Sequence, residues 1–126
     1  MKVAFVSPIF ERDAGFARVF LEAWREASSK TPWLKGSAMF WATEDGRPVA
    51  GVEGEVIGAT RWSKKGYARA SGMVECLANA IDVTGADYAA KVDCDGLHLG
   101  CRWLDPARRS AGRPKWAAMG CQHGTQ

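Results

Sequence analysis

Short apolar runs alternate with longer amphipathic stretches along this chain. Val3-Ala4-Phe5-Val6 is continuously apolar and stops at Ser7-Pro8, which predicts a strand covered on both faces, as at the centre of a parallel sheet. From Asp13 the period changes to three and four. Phe16, Val19, Phe20, Ala23, Trp24 and Ala27 form one stripe, and Arg18, Glu22, Arg25 and Glu26 fall on the other side. The spacing predicts a helix with Asp13 as its N-cap. It ends within residues 28–31, because the residue before Pro32 resists the helical region. Ala38-Met39-Phe40-Trp41-Ala42 predicts a second strand, closed by Glu44-Asp45-Gly46, and completes a strand-helix-strand unit.

Residues 47–57, with Gly51 and Gly54 among scattered Val49, Val52, Val56 and Ile57, predict a loop or a short edge strand. A second stripe of Tyr67, Ala70, Val74, Leu77, Ala78 and Ile81 predicts a helix from about Lys65 to Asp82, stopped by Thr84-Gly85. Gly72 inside it costs about 1 kcal/mol relative to Ala, which points to close packing at that turn. Tyr88-Ala89-Ala90-Lys91-Val92 then runs into Asp93-Cys94-Asp95-Gly96, and Trp116-Ala117-Ala118-Met119 is a last apolar run. Such alternation predicts an α/β domain with a largely parallel sheet. A length of 126 residues sets the expectation of one domain, residues 1–126, able to bury roughly two-thirds of its extended surface.

Composition narrows the function classes. With 47% hydrophobic and 25% charged residues the chain is neither collagen-like nor disordered. No stretch reaches the length of a membrane span. The first apolar run is too short for a signal peptide and is interrupted by Pro8, so the expected location is cytoplasmic. A net charge of +3 is too small a surplus for wrapping a polyanion, which argues against nucleic acid as the partner. Cys76, Cys94, Cys101 and Cys121 include no C-x-x-C pair and are read as reduced thiols. A zinc set of Cys94, Cys101, Cys121 and His123 lacks the tight knuckle of structural zinc sites.

The sharpest chemical feature is Asp93-Cys94-Asp95 at the end of an apolar strand. Residues two apart on an extended segment point to one side, so both carboxylates can face a cavity at the carboxyl end of the strand. Open α/β sheets place ligands there. Two carboxylates held so close call for a shared proton or a divalent cation, and oxygen ligands suit Mg²⁺ or Mn²⁺ with a phosphorylated ligand. The competing reading is turn chemistry, in which Asp caps local N–H groups and Gly96 takes positive φ.

The stretch Gly85-Ala86-Asp87-Tyr88-Ala89-Ala90-Lys91-Val92-Asp93-Cys94-Asp95 resembles the D-x-D segment of GT-A type glycosyltransferases. Glu75 to Ile81 sits where that family has the helix packed under the strand, and Val3 to Pro8 is similar to its first, nucleotide-facing strand. The resemblance implies a three-layer αβα sandwich with a mainly parallel, Rossmann-like (GT-A-like) sheet. It also implies metal-dependent binding of a nucleotide sugar, a UDP- or GDP-sugar, with glycosyl transfer to an unknown acceptor. Mn²⁺ or Mg²⁺ would be held by Asp95 as principal ligand, by Asp93, which contacts the ribose or the metal, and by His123 as a late ligand. Ser7 and Pro8 would lie near the nucleotide. Only 31 residues follow Asp95, so the resemblance extends to a donor-binding half and not to the acceptor half.

Two basic clusters bear on the same chemistry. Arg61, Lys64, Lys65 and Arg69 surround Trp62 and Tyr67 at the start of the second helix, where the helix dipole favours phosphate. Arg102, Arg108, Arg109, Arg113 and Lys115 follow the D-x-D segment, and either group could neutralise a diphosphate. A solvated face is the plainer reading of each. Of the six Trp, Trp24 and Trp41 fall on core faces, while Trp33, Trp62, Trp103 and Trp116 fall at loops or element ends. Trp62 beside Lys64 and Lys65 is the candidate for stacking on the nucleotide, with Lys65 on its phosphate. Three alternatives remain open. A haloacid-dehalogenase-like phosphatase would use Asp93 as nucleophile and Asp95 as acid/base. A nucleic-acid module would use residues 61–69 as basic-aromatic contacts. A non-catalytic module would complete its core as a homo-oligomer, covering an exposed sheet edge.

Overall fold

Residues 2–94, which a computed structural model describes, form strands β1 (Val3–Pro8), β2 (Ala38–Thr43), β3 (Glu55–Ala59) and β4 (Tyr88–Lys91) and helices α1 (Ala14–Ser29) and α2 (Tyr67–Thr84). Single 3-10 turns at Glu11–Asp13 and Pro32–Leu34 flank α1. The strands lie in the order β3-β2-β1-β4 and every neighbouring pair is parallel, as the alternating pattern predicts for an α/β fold. All six residues of β1 are buried, which is why its sequence carries no polar alternation until Ser7. The start of β4 is fastened to the start of β1 by Asp87, whose carboxylate accepts the Lys2 backbone N–H at 2.9 Å. Among the described residues no helix is long and apolar enough to cross a membrane.

Strand alternation assigns one helix to each face of the sheet. Val3 and Phe5 share a core with Phe20, Leu21 and Ala27 of α1, whereas Ala4 and Val6 share one with Met73, Cys76 and Ala80 of α2. The two faces are built differently. Beneath α1 the filling is aromatic, with Phe5 against Trp24 at 5.9 Å between ring centroids and Phe20 against Trp41 at 6.1 Å. Beneath α2 most of the contact is small: Ala4, Ala42, Ala80, Gly72 and Cys76 line it beside Phe40 and Met73, and this helix comes closer to the strands. A Cβ added at Gly72 would stand 1.9 Å from the carbonyl oxygen of Thr60, just beyond the end of β3. The close packing expected at this glycine is therefore a contact with backbone, which cannot rotate away.

That approach corrects the two predicted stripes. On α2 the buried positions are Gly72, Met73, Cys76 and Ala80, about one residue away in phase from the predicted set, and Tyr67 and Val74 of that set are 83% and 64% exposed. Burial follows the face that carries Gly72, Cys76 and Ala80, small enough for a near sheet, and takes Met73 in with it. On α1, Ala17 and Leu21 join Phe20 and Ala27 inside, and Phe16 and Val19 stay in solvent. Asp13 occupies the N-cap position of α1, but its carboxylate accepts the Phe10 N–H at 2.8 Å and closes the preceding turn instead. The stretch 47–57 resolves into both expected forms: a loop, then an edge strand that starts at Glu55.

The connection from β2 to β3 has no helix. Trp41 fastens it from below, its indole N–H donating to the Glu53 carbonyl at 2.6 Å. Gly54 follows with φ 115°, and a Cβ there would lie 2.6 Å from the same indole nitrogen.

Gly72→Ala is expected to lower stability by about 3 kcal/mol, combining overpacking with displacement of the helix. Gly15→Ala, where a Cβ meets nothing within 4 Å, is expected to raise it by about 0.5 kcal/mol. Urea unfolding of both variants checks the pair, and equal effects would contradict the close contact.

Candidate functional site

In a parallel sheet all strands deliver their carboxyl ends to one edge, so the loops after β1, β2, β3 and β4 gather there. The chain moves outward from β1 to β2 and β3, then returns to the far side of β1 as β4. The order thus reverses at β1. A cleft of about 670 Å³ opens at this edge over β1 and β2, lined by Ile9, Phe10, Arg12, Thr43, Glu44 and Arg47 among others. Its floor is the buried end of β1, tied to β2 by the Ile9 N–H donating to the Ala42 carbonyl at 2.9 Å.

An aromatic and cationic layer stands beside the cleft. The Phe10 ring lies 5.7 Å from Trp62, tilted by 46°, and the Arg12 guanidinium sits 4.9 Å from the Phe10 centroid. Trp62 also lines a shallower groove of about 490 Å³ with Gly66, Arg69 and Ala70 at the start of α2.

The position of Trp62 is set by its neighbours in sequence. Thr60 and Arg61 donate their N–H groups to the carbonyls of Thr43 and Glu44, extending the contact between β2 and β3 beyond the strands. Arg61 then adopts φ 54°, a left-handed conformation that a long side chain takes only when held. Its guanidinium donates to the Ala68 carbonyl and to Ser71, and pairs with Glu75 at 2.5 Å. On the other flank, the Glu44 carboxylate accepts the backbone N–H of Ser63 at 2.8 Å, the Ser63 hydroxyl, and the Thr60 hydroxyl at 3.4 Å. The Ser63 hydroxyl, foremost among these donors, holds the Glu44 carboxyl below its ordinary value of 4.5.

The sequence-predicted residues divide. Pro8 ends β1 at this edge and is buried. Ser7 is fully buried on the α1 side, and its hydroxyl has no partner among the described residues. Asp93 follows β4 directly: the Val92 N–H donates to the Val6 carbonyl at 3.0 Å, which carries Asp93 to the carboxyl edge beside β1. There it is exposed, and its Oδ1 lies 2.8 Å from the Lys91 ammonium, two residues back on the same side. Trp62 reaches this edge through Phe10, and Lys65 is exposed in the segment leading to α2. Pro8, Asp93 and Trp62 thus lie at the carboxyl edge, but Trp62 follows β3 at one end of the sheet and Asp93 follows β4 at the other, and the Ser7 side chain stays beneath. Asp95, His123 and the Arg102–Lys115 cluster lie outside the described residues.

Two expected groupings look different once placed. Arg61 turns along α2 to Glu75, so the first basic cluster presents Lys64, Lys65 and Arg69 to solvent without it. Among the described residues no three His, Cys, Asp or Glu side chains converge as metal ligands, and Asp93 already has a cation beside it. On those residues alone Asp93 is an ion-paired carboxylate, and a metal there depends on Asp95 and His123. Phe10, Arg12, Arg47 and Glu44 join the edge without a motif that marks them in the sequence. The available signal was position, since all four fall in the first residues after a strand, where parallel sheets carry their ligands.

No protein-family model matches this chain, and neither a curated protein nor a solved structure does. The functional reading therefore rests on the edge itself.

Glu44 supplies a test of how Trp62 is held. Because its carboxyl is lowered in the folded state, its stabilisation is fully present above the unfolded value near 4.5 and is lost as pH falls through the folded value. The stability difference between wild type and Glu44→Gln is expected to be positive at about pH 7 and to shrink as pH falls below 4.5. Urea unfolding across that range measures it, and a difference undiminished at the acid end would contradict the assignment.

Proposed function

We propose that this domain binds a nucleotide sugar at the carboxyl edge of its sheet. The observation that carries the reading is the Phe10–Trp62 aromatic pair with Arg12 over Phe10, flanking a cleft over the carboxyl ends of β1 and β2. A planar base stacks on an aromatic face for about 1–3 kcal/mol. Arg12 has no ion-pair partner among the described residues, so its charge is available to a phosphate. Arg47, on the opposite wall, is only loosely paired with Asp45 at 3.9 Å and adds a second cation. Asp93 lies at the same edge, where its carboxylate can accept hydrogen bonds from ribose or sugar hydroxyls.

The metal-dependent form of this reading adds Mn²⁺ or Mg²⁺ through Asp93, Asp95 and His123, which would neutralise the diphosphate. Glycosyl transfer to an acceptor would require that metal, or the arginines, to stabilise the departing nucleoside diphosphate.

Calorimetric titration with UDP- and GDP-sugars, each with and without Mn²⁺, tests both forms. Binding is expected for one nucleotide, and Trp62→Ala or Arg12→Ala is expected to weaken it about tenfold. A metal-dependent component should disappear in Asp95→Ala. No heat with any nucleotide sugar, with or without metal, would overturn the reading, and binding unaffected by Trp62→Ala or Arg12→Ala would move the site elsewhere.

A further inference from the structure

We infer that α2 pairs with the α2 of a second copy of this chain, antiparallel about a two-fold axis at Val74. The inference is independent of the ligand reading, because it concerns the side of α2 turned away from the sheet. With Gly72, Met73, Cys76 and Ala80 inside, the outward positions are Tyr67, Ala70, Val74 and Ala78, all exposed, with Leu77 and Ile81 half-buried at the margins. Tyr67, Val74 and Ile81 are spaced by seven, with small residues between them, which is the spacing of a helix-helix seam. The seam runs the length of an 18-residue helix, about 27 Å, and no charged residue lies along its centre. Glu75, at its flank, is already neutralised by Arg61 at 2.5 Å.

Charge selects both the occupant and the direction. Lys64, Lys65 and Arg69 sit at the start of α2, and Asp82 sits in its last turn and is exposed. Within its own helix each group is at the unfavourable end, cations at the positive N-terminus and the acid at the negative C-terminus. The Lys2 ammonium already donates to the Thr84 carbonyl at the end of α2, at 2.6 Å, and leaves Asp82 as the exposed acid there. Antiparallel pairing reverses its unfavourable placement: the cations of one copy meet the partner's Asp82, and Asp82 meets the partner's N-terminus. One surface is thereby complementary to itself, as a two-fold interface requires. A two-fold at Val74 sets Tyr67 against Ile81 and brings Lys65 level with Asp82. The exposed apolar pair on α1, Phe16 and Val19, has no such segregation of charge, since Glu11 and Asp13 stand among Arg12 and Arg18 at its start and Arg25 and Lys30 among Glu22 and Glu26 at its end.

A single helix pair lies at the low end of specific interface area, so association is expected in the micromolar range. Sedimentation equilibrium of the full chain between about 1 and 300 µM should show the mass rising from one chain toward two. Val74→Glu, at an exposed position where folding is not at stake, sets two like charges on the axis and should abolish the rise. Asp82→Lys should weaken association at least fivefold, and Asp82→Lys with Lys65→Asp should restore it; circular dichroism establishes that each variant is folded. A monomer at every concentration overturns the inference, as does a dimer that survives Val74→Glu. Failure of the double reversal to restore what the single reversal removes overturns the antiparallel pairing. Nucleotide-sugar binding can fail while these results hold, and the converse, so the two proposals are separable.

Discussion

The rest of this structure depends on how near α2 lies to the sheet. With hydrogen at Gly72 the helix rests against the Thr60 carbonyl, and every larger residue is excluded from that contact. The near approach fixes the rotation of the helix, since only the face with Gly72, Cys76 and Ala80 can turn inward. It also sets Ser71 and Glu75 within reach of Arg61, whose side chain spans from the end of β3 along the first turns of α2. Arg61 in its left-handed conformation in turn directs Trp62 onto Phe10. A contact on the α2 face of the sheet is thus connected, residue by residue, to the carboxyl edge.

The opposite face works by other means. Aromatic rings between α1 and the strands keep that helix further out, and large side chains take up the added depth. The indole N–H of Trp24 is buried without a partner among the described residues, as is the Ser7 hydroxyl. Each such group costs about 1–3 kcal/mol, so this face tolerates losses that the small-residue face, with Cys76 within 3.6 Å of the Ala59 carbonyl, does not carry.

Much of the fold was legible from apolar runs, because β1 is buried on both faces and β2 largely so, and a doubly buried strand has to be apolar throughout. Helix α2 was legible as a helix, but its rotation was not. Periodicity finds the apolar stripe, whereas the distance between helix and sheet, a property of residues far apart in sequence, decides which stripe is buried. The edge strand β3 was readable only as an alternative, since five residues containing a glycine carry little pattern. At the site, Asp93 was placed at the carboxyl edge because its strand was recognisable. Phe10 and Arg12 lie in a short turn without periodicity, and Arg61 reads as a free cation in sequence because its partner, Glu75, lies 14 residues on, within α2.

The helix-less connection between β2 and β3 has a consequence for the cleft. Glu44, Asp45, Arg47, Pro48 and Val49, which form one wall of it, belong to the segment that Trp41 pins at Glu53. A helical crossover would brace that wall along its whole length, but here a core tryptophan fixes it near one end and Thr43, bonded to the Arg47 carbonyl at 2.8 Å, near the other. The wall offered to a ligand is therefore anchored from inside the protein, by a buried indole beyond one end and a buried threonine hydroxyl at the other.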